Sequence, residues 1–484
     1  MQPGVGRTLN FQVAFAKPSD GAEGGGSPVE LGERHRRRSE KVSAADAMAY
    51  TALGLFWVSL WLTMFFVKLA IGPLPIRTIF LGISGALLIA SSPQDFVRAL
   101  VTARIALLAI GYACVLGVLG SIWAHATIAQ IVRAVIEIHI QSATMVLVAT
   151  MLIMRFTIRP VLYALVTGFL LSALVAFGQA LHFDFAWDLR AWAGNLMNDP
   201  PLTRDIYTRR ERALGLNFSP VHFAADACLT LAAVCYLRWS RLEDLAELRR
   251  FDPVIGGTVV LVIMGCVATG NRSPILGVLL FGVGYFIYTQ RKLALLLTPL
   301  LALSLPGAML VDSTPFRSES ISSIRVIRTD SSSENRTTLM AFGSQLVRER
   351  PWGYGLSFDS TEHWQNFIHE ARYLSNPLSI RKWALHNYYL NLICKYGIAI
   401  IALIFIIFPY NLRQFVLIAP FSALAIHQFF HNEGILNGDL RGLVLIAAFP
   451  FILLGVRSAP PLRRWNSAFP QVPNAVAIEV REPV

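Results

Sequence analysis

The chain predicts an all-α integral membrane protein, on three observations. Of its 484 residues 54% are hydrophobic and 15% charged, whereas soluble globular domains carry about a quarter charged residues. Apolar runs long enough to cross a bilayer, about twenty residues each, recur along the chain. Lys and Arg gather in the short segments between those runs, the pattern that orients membrane helices. A net charge of +12 is therefore explained by membrane orientation, and no nucleic-acid partner is expected.

Taken in order, the runs give about twelve spans, at 48–68, 74–91, 104–122, 131–154, 160–181, 218–237, 254–269, 274–290, 293–311, 386–409, 414–431 and 440–456. Residues 1–46, rich in Gly, Ser and Arg, lack the apolar stretch of a cleavable signal and are expected as a disordered cytoplasmic tail. The membrane domain is expected over 47–457, with a cytoplasmic tail at 458–484. With Arg36 to Lys41 inside, Arg98, Arg104, Arg155, Arg159, Arg238 to Arg250 and Arg413 also fall inside. The turn at Trp123 to His125, the loop 182–220, the hairpin tip Asn271-Arg272-Ser273-Pro274 and one long loop, 312–385, between helices 9 and 10 then lie outside. Arg190, Arg204, Arg209, Arg210 and Arg212 are balanced by Asp184, Asp188, Asp199, Asp205 and Glu211, so the 182–220 loop is near neutral. No internal repeat is visible, which weighs against an inverted-repeat transporter.

Within the long loop, Ser331-x-x-Glu334 is a capping-box pattern that places Arg336 in a first helical turn. Leu339, Phe342, Gly343, Leu346 and Val347 continue at helical spacing until Pro351. Trp364, Phe367, Ile368, Ala371 and Leu374 form a second amphipathic face, able to pack on the bundle or lie on the membrane. The five cysteines form no Cys-x-x-Cys pair. P-loop, His-Glu-x-x-His, Gly-x-Ser-x-Gly and Asp-x-Asp patterns are absent, so neither a metal nor a cofactor is expected.

Four residues at outer helix ends stand out. Arg212, Arg272 and Arg336 offer permanent charge and planar forks suited to phosphate. Each also has a simpler use: Arg212 in a pair with Glu211 or Asp205, Arg272 snorkelling to headgroups, Arg336 in a pair with Glu334. His386 alone among the four titrates near neutrality and could accept a proton from a hydroxyl. It heads a polar stripe, Asn387, Asn391 and Lys395, down an otherwise apolar run, as expected of a helix facing a cavity. Arg133 and Glu137 read as a structural pair, while Asp226, His427, Glu433, Asp439 and Arg441 are further candidates for the cavity wall.

Several of these pieces resemble bacterial O-antigen ligases and Wzy-like polysaccharide polymerases. Arg212-Ala-Leu-Gly-Leu-Asn217-Phe-Ser-Pro220 looks like the family's Arg-x-x-Gly approach with Asn-Pro before a helix, and Thr269-Gly270-Asn271-Arg272-Ser273 like its Thr-Gly-Ser-Arg-Gly turn. Asn335-Arg336 ahead of Arg350-Pro351-Trp352-Gly353-Tyr354-Gly355 is similar to its Gly-Arg and His-Pro-x-x-Gly-x-Gly. Leu385-His386-Asn387-Tyr388-Tyr389-Leu390 followed by Tyr396-Gly397 resembles its His-Asn-x-x-Leu and downstream Gly. Asn271 and Ser273 replace the family's commoner Ser and Gly, and Asn217 is separated from Pro220 by two residues.

The resemblance implies a metal-independent glycosyltransferase of the inner membrane whose active site faces the periplasm. It would pass a glycan from undecaprenyl diphosphate to an acceptor hydroxyl, on lipid A core or on a growing polysaccharide. Arg212 and Arg272 would neutralise the diphosphate, His386 would orient or deprotonate the acceptor, and Arg336, Asn387, Asn217 and Tyr354 would contact substrate. The alternatives are a transporter or flippase of lipid-linked glycans, and a non-catalytic assembly partner.

Overall fold

A computed structural model describes residues 43–71, 74–242, 250–289, 331–371, 377–403, 417–432 and 434–453. Its first helix, α1 (Ala44–Phe65), is apolar on every side, as a helix between protein and lipid must be. A two-residue ribbon, β1 (Ala70–Ile71) with β2 (Leu74–Pro75), turns the chain into α2 (Ile76–Ser91). Pro93 cannot continue that helix, and α3 (Pro93–Thr102) leaves it at 115°. Next come α4 (Arg104–Trp123) and α5 (Ile128–Phe156), whose start is fixed by a Thr127/Gln130 capping box. One stretch of α5, Val135–Ile140, is wound as a π-helix.

After α6 (Ile158–Ala180) the expected charged loop is largely helical: α7 (Asp184–Met197) and α8 (Pro201–Thr208) fold around a wholly buried ion pair, Arg190 to Asp199 at 2.6 Å. The charge balance seen in the sequence is thus partly spent internally, with Arg210 paired to Asp184 and Arg209 to Asp205 and Glu211 nearer the surface. Ser219 caps α9 (Pro220–Trp239) by accepting from the His222 amide, with Pro220 at the first turn. A tight turn with Gly270 at φ +65° joins α10 (Pro253–Ala268) to α11 (Arg272–Thr289).

Among the described residues six helices (α1, α4, α5, α6, α9 and α11) are long and apolar enough to cross a membrane, or seven if α2 and α3 form one bent span. The expected span 293–311 and the loop residues 312–330 lie outside the described residues. So do parts of those at 386–409 and 414–431, whose described portions include α15 (Tyr388–Tyr396) and α16 (Ser422–Phe430). A correction concerns α15: it is nine residues long and stops at Gly397, φ +78°, where a continuous span was expected. The last described helix is α17 (Arg441–Leu453).

The rest of the long loop builds a small domain. Its frame is α12 (Ser331–Glu349), α13 (Trp364–Ala371) and α14 (Ser379–Lys382). Leu339, Phe342, Leu346, Tyr354, Phe367, Ile380 and Leu385 form its core, so the faces predicted for Leu339 to Leu346 and for Phe367 pack on one another. Arg336 falls in the second turn of α12 rather than the first, and the side chains of Ser331 and Glu334 lie outside the description.

The Gly353-Tyr354-Gly355 turn docks this domain. The Tyr354 and Gly355 amides donate to the Cys394 and Lys395 carbonyls at 2.7 and 3.0 Å, and the Ile398 amide donates to the Pro351 carbonyl at 2.8 Å. The first two bonds satisfy carbonyls at the end of α15 that have no partner within the helix. The Leu356 amide reaches Ser121 Oγ, near the end of α4, at 2.8 Å. Gly353 and Gly355 have φ +90° and +89°, and a β-carbon on Gly355 would overlap the Ser121 backbone.

Long-range bonds gather alternate connections at one end of the bundle. Asn217 reaches the Met64 carbonyl at the end of α1, and Asn271 the Pro220 carbonyl at the start of α9. The last turn of α4 lies against the end of α15, at Gly120 and the Lys395 carbonyl.

Candidate functional site

Arg212 follows α8 and is held by the α10–α11 turn. Its Nε donates to the Thr269 carbonyl at 2.6 Å, and its Nη2 donates to the Gly270 carbonyl and to Asn271 Oδ1, the latter at 3.1 Å. These acceptors are uncharged, so the pairing with Glu211 or Asp205 weighed above is not its setting. Burial, then the Arg336 and Arg272 charges, push its pKa down to about 10, which leaves it cationic at neutral pH.

Asn271 explains one departure from the family motif. Its amide nitrogen donates to the Pro220 carbonyl at 2.7 Å and Thr269 Oγ1 at 2.9 Å while its oxygen accepts from Arg212. A serine could not do all three jobs. Arg272 comes next, exposed, as the first residue of α11. A cation at a helix N-terminus opposes the helix dipole, so local stability does not select arginine there. Ser273 is buried, and its Oγ lies 3.2 Å from His427 Nδ1 on α16.

Arg336 lies over the Phe430 ring, 5.7 Å from its centroid, and acts electrostatically on Arg212 and on His386. His386 sits in the turn before α15, its Nδ1 2.7 Å from the Ala384 carbonyl. A carbonyl can only accept, so Nδ1 carries the proton and the neutral ring presents Nε2 as a base. Burial lowers the His386 pKa below 6.5, the Ala384 bond opposes that, and Arg336 adds to the lowering. The four residues singled out at the helix ends therefore stand within electrostatic reach in one chain of neighbours: Arg272 to Arg212, Arg212 to Arg336, Arg336 to His386.

His431 was not found by sequence reasoning, though its i, i+4 spacing from His427 was a usable signal. It is only 8% exposed; its ring lies tilted at 31° against His427, centroids 4.5 Å apart, and it feels the charges of His427, Arg336, His386 and Arg212. The other candidates serve the scaffold. Asn217 is wholly buried, donating to Asp226 Oδ2 at 2.5 Å and accepting from Ser172. Asn387 caps α15 through the Leu390 amide, at 3.0 Å. The Tyr354 hydroxyl donates to the Leu346 carbonyl at 3.2 Å inside the loop domain. Asp226, Arg441 and Asp439 form a buried ion-pair chain, with Arg441 2.8 Å from each acid. Arg133 and Glu137 pair at 2.8 Å on an exposed surface, and Glu433 lies outside the described residues. Among the described residues no group of three or more His, Cys, Asp or Glu is arranged to hold a metal ion.

The fold and site thus define a multi-pass α-helical membrane protein with fixed cations and a neutral histidine gathered at one end. Residues 257–426 match the O-antigen ligase family, Wzy_C, which bears out the resemblance read from the motifs. The match supports a ligase- or polymerase-type function in polysaccharide biosynthesis. The matched stretch holds Arg272, Arg336 and His386, whereas Arg212 and His431 lie outside it. No curated protein matches the chain.

Proposed function

We propose that the chain transfers a glycan from an undecaprenyl-diphosphate donor to an acceptor hydroxyl, on lipid A core or on a growing polysaccharide, at the periplasmic face of the inner membrane. The observation that carries this is Arg212 hydrogen-bonded to the turn that ends in Arg272, with Arg336 within reach of the Arg212 charge and of His386. Like charges gathered in a partly buried site repel, and a diphosphate offsets that repulsion. The acceptor oxygen attacks the anomeric carbon as the bond from that carbon to the diphosphate oxygen breaks. The bonding pair leaves on the diphosphate, where the arginines screen it, and the acceptor proton passes to His386 Nε2. Fixed cations can fulfil the screening without a metal ion. On this reading Arg272, Arg336 and His386 contact substrate directly, and Arg212 has a second task in fixing the turn.

The test is made with purified protein in nanodiscs supplied with lipid-linked glycan. Acceptor-dependent release of undecaprenyl diphosphate is expected. Movement of donor between leaflets without release would replace the transferase with a flippase.

A further inference from the structure

A second polar group lies at the other end of α15. His139, in the π-helical stretch of α5, is 3% exposed, and both its ring nitrogens are buried without a hydrogen-bond partner. Such π-turns occur often at functional sites. The Lys395 ammonium is close enough for its charge to act on this ring, and the Tyr396 ring lies 5.9 Å away, edge-on. Lys395 itself is 8% exposed and donates to Asn437 Oδ1 at 2.5 Å.

Buried polar groups normally have partners, and leaving them unmade is costly, more so within a membrane bundle. A histidine kept for packing would be hydrogen-bonded, or replaced by leucine. Here an imidazole that can donate and accept stands within reach of the Lys395 ammonium. That set suits a ring hydroxyl against the imidazole and a carboxylate or phosphate against Lys395.

We propose that His139, Lys395 and Asn437 bind an anionic sugar residue. The site lies about 13 Å along α15 from His386, nine residues at about 1.5 Å each. Asn391 sits between the two on the stripe it shares with Asn387 and Lys395; it is 5% exposed, and no described residue hydrogen-bonds its side chain. A glycan end held at His139 would extend along this stripe and bring a hydroxyl to His386. That role as acceptor seat rests on the transfer function proposed above; the binding site itself does not.

Titration calorimetry of the full chain in nanodiscs tests it, with glucuronate, glucose 6-phosphate and glucose as probes. One or both anionic sugars should bind, the better one showing whether carboxylate or phosphate is preferred, and glucose should bind at least roughly tenfold more weakly. His139→Leu should weaken the preferred probe at least roughly tenfold while holding or raising the melting temperature, since it removes an unpartnered buried group. Lys395→Met should weaken it similarly, and Arg272→Ala should leave it unchanged. The proposal is overturned if no anionic sugar binds, if glucose binds as well as they do, if binding survives His139→Leu or is lost in Arg272→Ala, or if His139→Leu sharply lowers the melting temperature. A chain that binds glucuronate through His139 yet never releases undecaprenyl diphosphate keeps this site and loses the transferase.

Discussion

Replacing Arg212 and Arg272 separately should divide stability from chemistry. Arg212 donates to the Thr269 and Gly270 carbonyls and to Asn271 Oδ1, and Thr269 and Asn271 are 0% and 3% exposed. A hydrogen bond to a charged group contributes about 1.5–3 kcal/mol, and stranding a buried acceptor costs about 1–3 kcal/mol. Because the three bonds share one guanidinium they do not add, and Arg212→Ala should cost about 3 kcal/mol together with most of the activity. Arg272 is exposed and sits at the end of α11 where the dipole disfavours it. Arg272→Ala should therefore change stability by less than about 0.5 kcal/mol, yet reduce transfer about 10²- to 10³-fold, as expected for losing one preorganised donor to a developing anion. Arg272→Lys should recover part of that, since it keeps the charge but not the planar fork. Thermal unfolding of the purified variants, paired with release of undecaprenyl diphosphate, measures both quantities. An Arg272→Ala protein as destabilised as Arg212→Ala, or one with near-normal transfer, refutes the division.

Three further outcomes are expected. The His386 pKa is lowered, so the neutral base persists below pH 6.5 and the rate should fall only as pH drops through that lowered value. Arg336→Gln removes a neighbouring cation and should shift the acidic limb to higher pH, whereas His386→Gln should abolish the limb; an unmoved limb in both variants removes His386 as the base. Gly355→Ala must hold φ +89° against the Ser121 backbone and should cost about 2–4 kcal/mol, seen as a lowered melting temperature. Transfer by the purified protein should persist in excess EDTA, and activity lost to chelation and restored by magnesium would show that acids hold a cation.

Several spans were legible because a helix facing lipid needs only length and apolarity, which single residues report. The expected 104–122, 160–181 and 218–237 appear as Arg104–Trp123, Ile158–Ala180 and Pro220–Trp239. The end of α15 was not legible in the same way. The run from Tyr388 onward stays apolar past Gly397, and its break depends on bonds from a turn about forty residues earlier in the chain. Gly353, Gly355 and Gly397 were visible as motif residues, but the positive φ that each must adopt belongs to the tertiary contact. Asn217 and Asn387 were visible for the same reason and were read toward substrate; in the fold Asn217 bonds Asp226 and the Met64 carbonyl through its amide nitrogen, and the Asn387 oxygen caps α15. The arginine cluster was legible as residue types at helix ends. That Arg212 also binds the Arg272 turn was not, because the two are far apart in sequence.

This double use of Arg212 tells how the site is kept in shape. A loose arginine would gain a phosphate contact only by giving up the freedom of a long side chain. Three donors anchored on the turn that ends in Arg272 remove that freedom before a ligand arrives, and they fix the spacing between two cations by backbone carbonyls rather than by solvent. The repulsion thereby stored between Arg212, Arg272 and Arg336 is relieved by an anion, and relieved most by the form with the greatest charge. For a departing diphosphate that form is the transition state and product, not the bound donor. An arrangement of this kind favours bond breaking over tight donor binding.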